Sequence, residues 1–213
     1  MLISMTSKLA AGGLLAIALL AQELSDVERK FFAAADEALG VHPGAVIADI
    51  GTGNTLTHPL RLAEKVGSNG KVVCVDIRPP VIANIKEQAA ARHLTNIEAV
   101  LGKEDDPLLQ PATFDGILVS NAYHEFAQPS PMLKHIYEAL KPDGRLVVLE
   151  LYSKAHKGDG RAEQVKWHDL APDILARELA AAGFVIKERM DNIPLGLRNG
   201  DRCRCLLRAE RTP

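Results

Sequence analysis

From residue 45 onward the chain alternates short apolar runs with stretches whose apolar positions recur at helical spacing. Ala45–Ile50 (AVIADI), Lys71–Asp76 (KVVCVD), Ile97–Leu101, Phe114–Ser120 (FDGILVS) and Arg145–Leu151 (RLVVLEL) read as buried strands. Between them, Leu60–Val66 has helical character, and Pro59 suits a first helical turn. Pro79–Arg92 places Val81, Ile82, Ile85 and Ala89 on one helical face, and Pro131–Leu140 does the same with Met132, Leu133, Ile136 and Leu140. Lys141-Pro142-Asp143-Gly144 predicts a turn into the fifth strand, and Leu170–Ala182 an Ala-rich helix closed by Gly183. Val185–Met190 and Arg202–Arg208 supply two last strands, with Asn199-Gly200 as a hairpin signal between them.

Strands separated by helices imply right-handed crossovers and an open parallel sheet in a single α/β fold. The last two strands have no helix between them and should pair antiparallel. Aromatic residues are only 4% of the chain, so the core must come from Ala, Leu, Val and Ile. A hydrophobic fraction of 47% excludes global disorder, and a net charge of −2 gives no support to a general nucleic-acid binder. Cys74, Cys203 and Cys205 form no CxxC and no Cys/His zinc spacing; they read as buried thiols. No metal-ligand set is visible along the sequence.

The amino terminus differs from the rest. Leu9–Ala21 (LAAGGLLAIALLA) is uncharged, too short to span a bilayer, and of the length of a signal-peptide apolar region. A buried helix is the other reading, weakened by Gly12-Gly13. This divides the chain into a signal-like segment, 1–21, and one domain, 22–213. Export to the periplasm follows from the first reading and a cytoplasmic protein from the second.

The chemistry gathers after the first strand. Gly51-Thr52-Gly53 falls where that strand ends, and in an open α/β sheet ligands sit beyond the carboxyl ends of the strands. A Gly-rich turn serves nucleotide, dinucleotide and S-adenosylmethionine folds alike. Two carboxylates narrow the choice. Asp49 inside the strand end would repel a pyrophosphate and suits a ligand carrying ammonium or sulfonium charge. Asp76 closes the second strand, where a carboxylate can accept from a ribose diol. A dinucleotide fingerprint would also place a third Gly where Leu56 stands, which makes an NAD-dependent oxidoreductase the weakest reading.

ADIGTGN at Ala48–Asn54, VVCVDI at Val72–Ile77, FDGILVSNAYHEF at Phe114–Phe126, LKPDGRLVVLE at Leu140–Glu150 and LAAAGFVIKE at Leu179–Glu188 resemble, as an ordered set, class I S-adenosylmethionine-dependent methyltransferases. The resemblance covers about residues 39 to 208. It implies a Rossmann-like seven-stranded sheet of order 3-2-1-4-5-7-6 with strand 7 antiparallel and helices on both faces. It further implies S-adenosyl-L-methionine as cofactor, with Gly51, Thr52 and Gly53 along its methionine part and Asp49 near its ammonium. Asp76 would hold the ribose, Ile77 would pack on adenine, and Glu104 or Asp105 would lie near the adenine amino group. Asn121 would sit beside the methyl group. Two departures stand out: Thr55 replaces the usual third Gly, and Thr57-His58 replaces an apolar helix start.

Methyl transfer needs a general base only when the acceptor arrives protonated. His124, in Tyr123-His124-Glu125 after the fourth strand, is the candidate base; its alternative role is to hold the loop through hydrogen bonds. His168 either faces the site or belongs to a solvated helix start. The polar loop Ser153–Gln164 either closes over substrate or is a surface loop. Asn121-Ala122-Tyr123 lacks the Pro-Pro pattern associated with methylation of bases in DNA. The expected activity is methyl transfer to a small-molecule acceptor, without nucleic acid and without a stable membrane span. Acceptor specificity would come from Val27–Leu39, Asn121–Pro131 and Ser153–Trp167. A non-catalytic scaffold or sensor that binds the cofactor or its product is the alternative.

Overall fold

The structure, a computed structural model, describes residues 26–195 and 201–212. Leu9–Ala21 and the Asn199-Gly200 turn lie outside the described residues. Residues 26–39 are helical (α1). The chain divides into two compact units, with the boundary between Ala35 and Asp36. In the first, the Phe31 and Phe32 rings meet at a tilt and Arg29 pairs with Asp26.

The second unit is built on one seven-stranded sheet. Its strands are β1 Val46–Ile50, β2 Lys71–Asp76, β3 Ile97–Leu101, β4 Phe114–Ser120, β5 Leu140–Ser153, β6 Phe184–Pro194 and β7 Arg202–Arg211. They lie in the order β3-β2-β1-β4-β5-β7-β6. The first five pair in parallel, while β7 runs antiparallel between β5 and β6. The expected order and the single antiparallel strand are both present. The near-continuous apolar runs are buried as expected, with Ile47, Ala48, Val72, Ile117 and Val147 inaccessible to solvent.

The helices are α2 Thr57–Val66, α3 Pro79–Ala91, α4 Pro129–Ala139, α5 Arg161–Val165 and α6 Pro172–Ala181. Val81, Ile82, Ile85 and Ala89 form the buried face of α3, as their spacing predicts. Met132, Leu133 and Ile136 do the same for α4. Leu140 is buried too, but with extended backbone (ψ 143°) it begins β5 opposite Phe114 instead of ending the helix.

At three of the boundaries that differ from expectation the physical reason is visible. Lys141–Gly144 is part of β5 rather than a free turn, with a register shift between Phe114 and Gly116. Gly144 is needed there because a Cβ would stand 2.7 Å from the Phe114 carbonyl oxygen. The last helix starts at Pro172, since the Ala171 amide is taken by Gln164 Oε1 at 2.6 Å. β6 continues to Pro194 across an irregularity at Asn192, whose amide and side chain both bond the Tyr152 hydroxyl. Cys203 and Cys205 lie on β7 as buried free thiols.

Strand order reverses between β1 and β4, so the crevice outside their carboxyl ends is the place where this topology puts a ligand. Among the described residues no helix is long and apolar enough to cross a membrane.

Candidate functional site

The turn leaving β1 is folded back onto β2. The amides of Gly51 and Thr52 both donate to the Val75 carbonyl, at 2.8 and 3.1 Å, and the Thr52 hydroxyl donates to the Asp49 carbonyl at 2.8 Å. Gly51 and Gly53 have φ of 75° and 69°, a region that favours glycine. At Gly51 space matters as well: a Cβ would stand 2.4 Å from the Ala122 Cβ. The β1 and β4 loops therefore approach each other with no room for a side chain between them.

Asp76, at the end of β2, ties that turn to the next strand. Its carboxylate is buried and accepts from the Gly53 amide at 3.0 Å and the Arg78 amide at 3.0 Å. The Arg78 guanidinium adds two further bonds, one to each oxygen. Burial alone would raise this carboxyl; the Arg78 side chain and the two amides outweigh it and hold the pKa below the ordinary value. Asp49 is in the opposite situation. Its residue is 2% exposed, and burial, with a smaller contribution from the Asp76 charge, pushes its pKa up to about 7.

A cavity of about 480 Å³ opens at this edge of the sheet. Gly51, Thr52, Gly53 and Thr55 line it from the β1 loop, and Asp76, Ile77 and Arg78 from the end of β2. Lys103 and Glu104 close the β3 side, and Ser120, Asn121, Glu125 and Phe126 the β4 side. Of the residues expected at a cofactor, the cavity brings together Gly51, Thr52, Gly53, Asp76, Ile77, Glu104 and Asn121. Asp49 lies behind the turn, and neither Asp105 nor His124 is among the lining residues. No residue of the Ser153–Gln164 loop lines it either. That loop is tied down instead, by Arg161 donating to Glu178 and to the carbonyls of Tyr123 and Phe126, and by the buried Gln164 amide on Lys157 and Asp159.

His58 occupies the departure noted at the start of α2. Arg61 donates to its Nδ1 at 3.1 Å, so Nε2 carries the hydrogen and donates to the Ser120 hydroxyl at 3.0 Å. Burial, with the Arg204 charge, lowers its pKa and keeps the ring neutral. His124 is the buried middle residue of the short 3-10 turn Tyr123–Glu125. Its Nδ1 lies 3.0 Å from Oε2 of Glu150, a fully enclosed carboxylate on β5 that also accepts the His124 amide at 3.0 Å. Burial opposes a charged ring, but the Glu150 hydrogen bond and charge overcome it and raise the pKa above the usual value. Nε2 points the other way, 3.8 Å from Glu125, whose carboxylate also lies 4.0 Å from Nδ1 of His168.

Sequence reading did not single out Arg78, Ser120 or Glu125, or give His58 a place in the cavity. Their place follows from strand ends meeting across the sheet, and only the departure at Thr57-His58 carried a local signal.

Residues 41–183 match the family described as "Methyltransferase domain". A ubiquinone/menaquinone biosynthesis C-methyltransferase of Hydrogenovibrio crunogenus is 33% identical over 121 residues, covering 54% of this chain and 45% of that protein. A nocamycin O-methyltransferase of Saccharothrix syringae is 31% identical over 105 residues, or 49% of this chain and 37% of its own length. The chain thus spans less than half the length of these two curated relatives. Among solved structures, a SAM-dependent methyltransferase from Aquifex aeolicus superimposes with a TM-score of 0.70 at 20% identity, covering 88% of this chain and 90% of that one. At that identity the likeness shows the fold.

Proposed function

Because the chain belongs to the methyltransferase-domain family, we propose that the cavity at its carboxyl edge binds S-adenosylmethionine and that the protein methylates a small-molecule acceptor. The observation that carries this reading is the joining of the Gly51–Gly53 turn to Asp76, with both facing one cavity. The residues fit the ligand. Gly51 leaves the β1 loop bare of side chain, so backbone can run beside an amino-acid moiety. Asp76 presents a carboxylate where a ribose diol would be held, and the half-exposed Ile77 beside it offers an apolar face to a purine. The cavity volume lies within the range of roughly 300–1,000 Å³ of small-molecule sites.

S-adenosylmethionine, when bound, supplies a methyl group on a sulfonium centre whose departure leaves a neutral thioether. The chain's own contribution is then alignment and exclusion of water, since orientation alone is worth up to roughly 7–11 kcal/mol for well-placed reactants. Asn121, with φ of 50° and its amide bonded to the Leu149 carbonyl at 2.7 Å, is held rigidly at the β4 side of the cavity to position the acceptor. Where the acceptor carries a proton, Glu125 is the carboxylate that lines the cavity on the β4 side, beside Asn121. A contribution from His124 would reach the acceptor past Glu125.

Incubating the chain with methyl-labelled S-adenosylmethionine and pools of small hydroxyl, thiol and carbon-acid acceptors tests this reading. Label should move to at least one pool and should stop moving in Gly51→Ala. Ligand binding without transfer to any pool would favour the second reading, a scaffold or sensor. The observation behind that alternative is that His124, the expected base, is not among the residues lining the cavity, while Thr55 in place of the third Gly is.

A further inference from the structure

The cluster of His124, Glu125 and His168 is joined by no hydrogen bond, yet one ligand-type atom from each lies within 4.8 Å of the others. His124 Nε2 is 3.8 Å from Glu125 Oε1, and His168 Nδ1 is 4.0 Å from the same oxygen. Both distances are too long for hydrogen bonds. They are close to the spacing of about 3.3 Å that tetrahedral bonds of about 2.0–2.1 Å impose on neighbouring ligand atoms. Glu125 and His168 are exposed, so small side-chain rotations can close the difference.

Two features set these groups up as ligands. First, Glu150, buried on β5, accepts from Nδ1 of His124. That bond fixes the ring so that the Nε2 lone pair faces the cluster, and a carboxylate behind a histidine strengthens it as a ligand. Second, His168 is held at φ 52°, a strained backbone for a residue other than glycine. The strain is locked from both sides. The His168 amide bonds Val165 and its carbonyl accepts from Arg202, while neighbouring Asp169 is buried and bonded to Arg202 and the Ser153 amide. This conformation brings an otherwise exposed imidazole edge-on to His124, with ring centroids 5.6 Å apart.

We propose that His124, Glu125 and His168 form a binding site for a divalent transition-metal ion of the zinc class. Two imidazole nitrogens and one carboxylate oxygen are the donor set that suits such an ion. Glu125 and Glu150 together balance its charge, and three protein ligands leave a position for water or for an oxygen of a small molecule. Glu125 also lines the main cavity, so an ion here stands at its rim. The site does not depend on what that cavity binds.

Titrating the metal-free full chain with Co²⁺ and following visible absorption, then displacing the ion with Zn²⁺, reads the site without reference to activity. One equivalent of Co²⁺ should bind and give the intense bands of a low-coordinate ion. His168→Asn, which tolerates a left-handed backbone, and Glu125→Gln should each weaken binding at least tenfold while circular dichroism stays unchanged. His93→Asn, at an exposed histidine in a turn with the same left-handed backbone, should bind as the parent does. Binding equal to the parent in both His168→Asn and Glu125→Gln, or a purely octahedral spectrum, would overturn the proposal.

Discussion

The Arg78 guanidinium grips both carboxylate oxygens of Asp76, donating from Nε to Oδ1 and from Nη2 to Oδ2, each at 2.9 Å. The carboxylate is buried, but the Arg78 side chain is 55% exposed. The fork therefore covers the acceptor atoms that a ribose diol needs, from the solvent side.

Arg78→Gln should tighten binding of S-adenosylhomocysteine by up to about fivefold, since an ion pair whose guanidinium is largely in solvent is worth roughly 0–1 kcal/mol. The Asp76 carboxylate keeps its two backbone amides in that variant, so the strand end is not disturbed. Calorimetric titration of both proteins checks it. Weaker binding in the variant would mean that Arg78 assists the ligand instead of competing with it.

Gly51→Ala and Gly53→Ala should differ although both glycines have positive φ. At Gly53 the new methyl group has space, with its nearest neighbour 4.0 Å away, and only the backbone cost of about 1–2 kcal/mol applies. At Gly51 the collision with Ala122 adds roughly 1–3 kcal/mol of overpacking. Urea denaturation should rank the two in that order, and a Gly53→Ala protein less stable than Gly51→Ala would contradict the close approach of the two loops.

How much of this edge was legible in the sequence depends on distance along the chain. Asp49 and Asp76 announce themselves because each stands at the end of an apolar strand, and the glycines because they follow one immediately. That the strands run parallel was legible because the helices between them force crossovers, whereas their order came from the resemblance to class I methyltransferases. Arg78 was not, since its role arises from a side chain folding back two residues. His124, Glu150 and His168 come from three segments that only the sheet assembles. The Lys141–Gly144 stretch was misread for a local reason: Pro, Asp and Gly signal a turn, yet the chain keeps pairing across a register shift beside Phe114.

Stability should fall from mildly acid to neutral pH on account of Asp49. Burial raises its pKa from 3.8 to about 7 in the folded protein. The folded state thus holds a proton that the unfolded chain has lost, and its advantage is full below about pH 4 and disappears as pH rises through 7. At 1.36 kcal/mol per pH unit this amounts to about 4 kcal/mol. Asp49→Asn removes the titration, so relative to the parent it should gain stability between pH 4 and pH 8. Thermal melts across that interval would contradict the account if the two proteins stayed parallel.

Glu150 should be a stability residue whatever the cluster above it binds. Its enclosed carboxylate accepts the His124 amide and ring and the Leu151 amide. Glu150→Ala strands these donors in a buried setting, at a cost of about 3–5 kcal/mol for breaking a buried charged pair. Chemical denaturation measures it, and a loss below about 1 kcal/mol, the worth of an ordinary hydrogen bond, would contradict the buried pairing.

The most direct test of the account is calorimetric titration of the full chain with S-adenosylmethionine, S-adenosylhomocysteine and, as a control, NAD. Both adenosyl ligands should bind with stoichiometry one, NAD should give no heat of binding, and Asp76→Ala should weaken the adenosyl ligands at least tenfold. Failure of both adenosyl ligands to bind, or binding indifferent to Asp76→Ala, would contradict the assignment of this cavity.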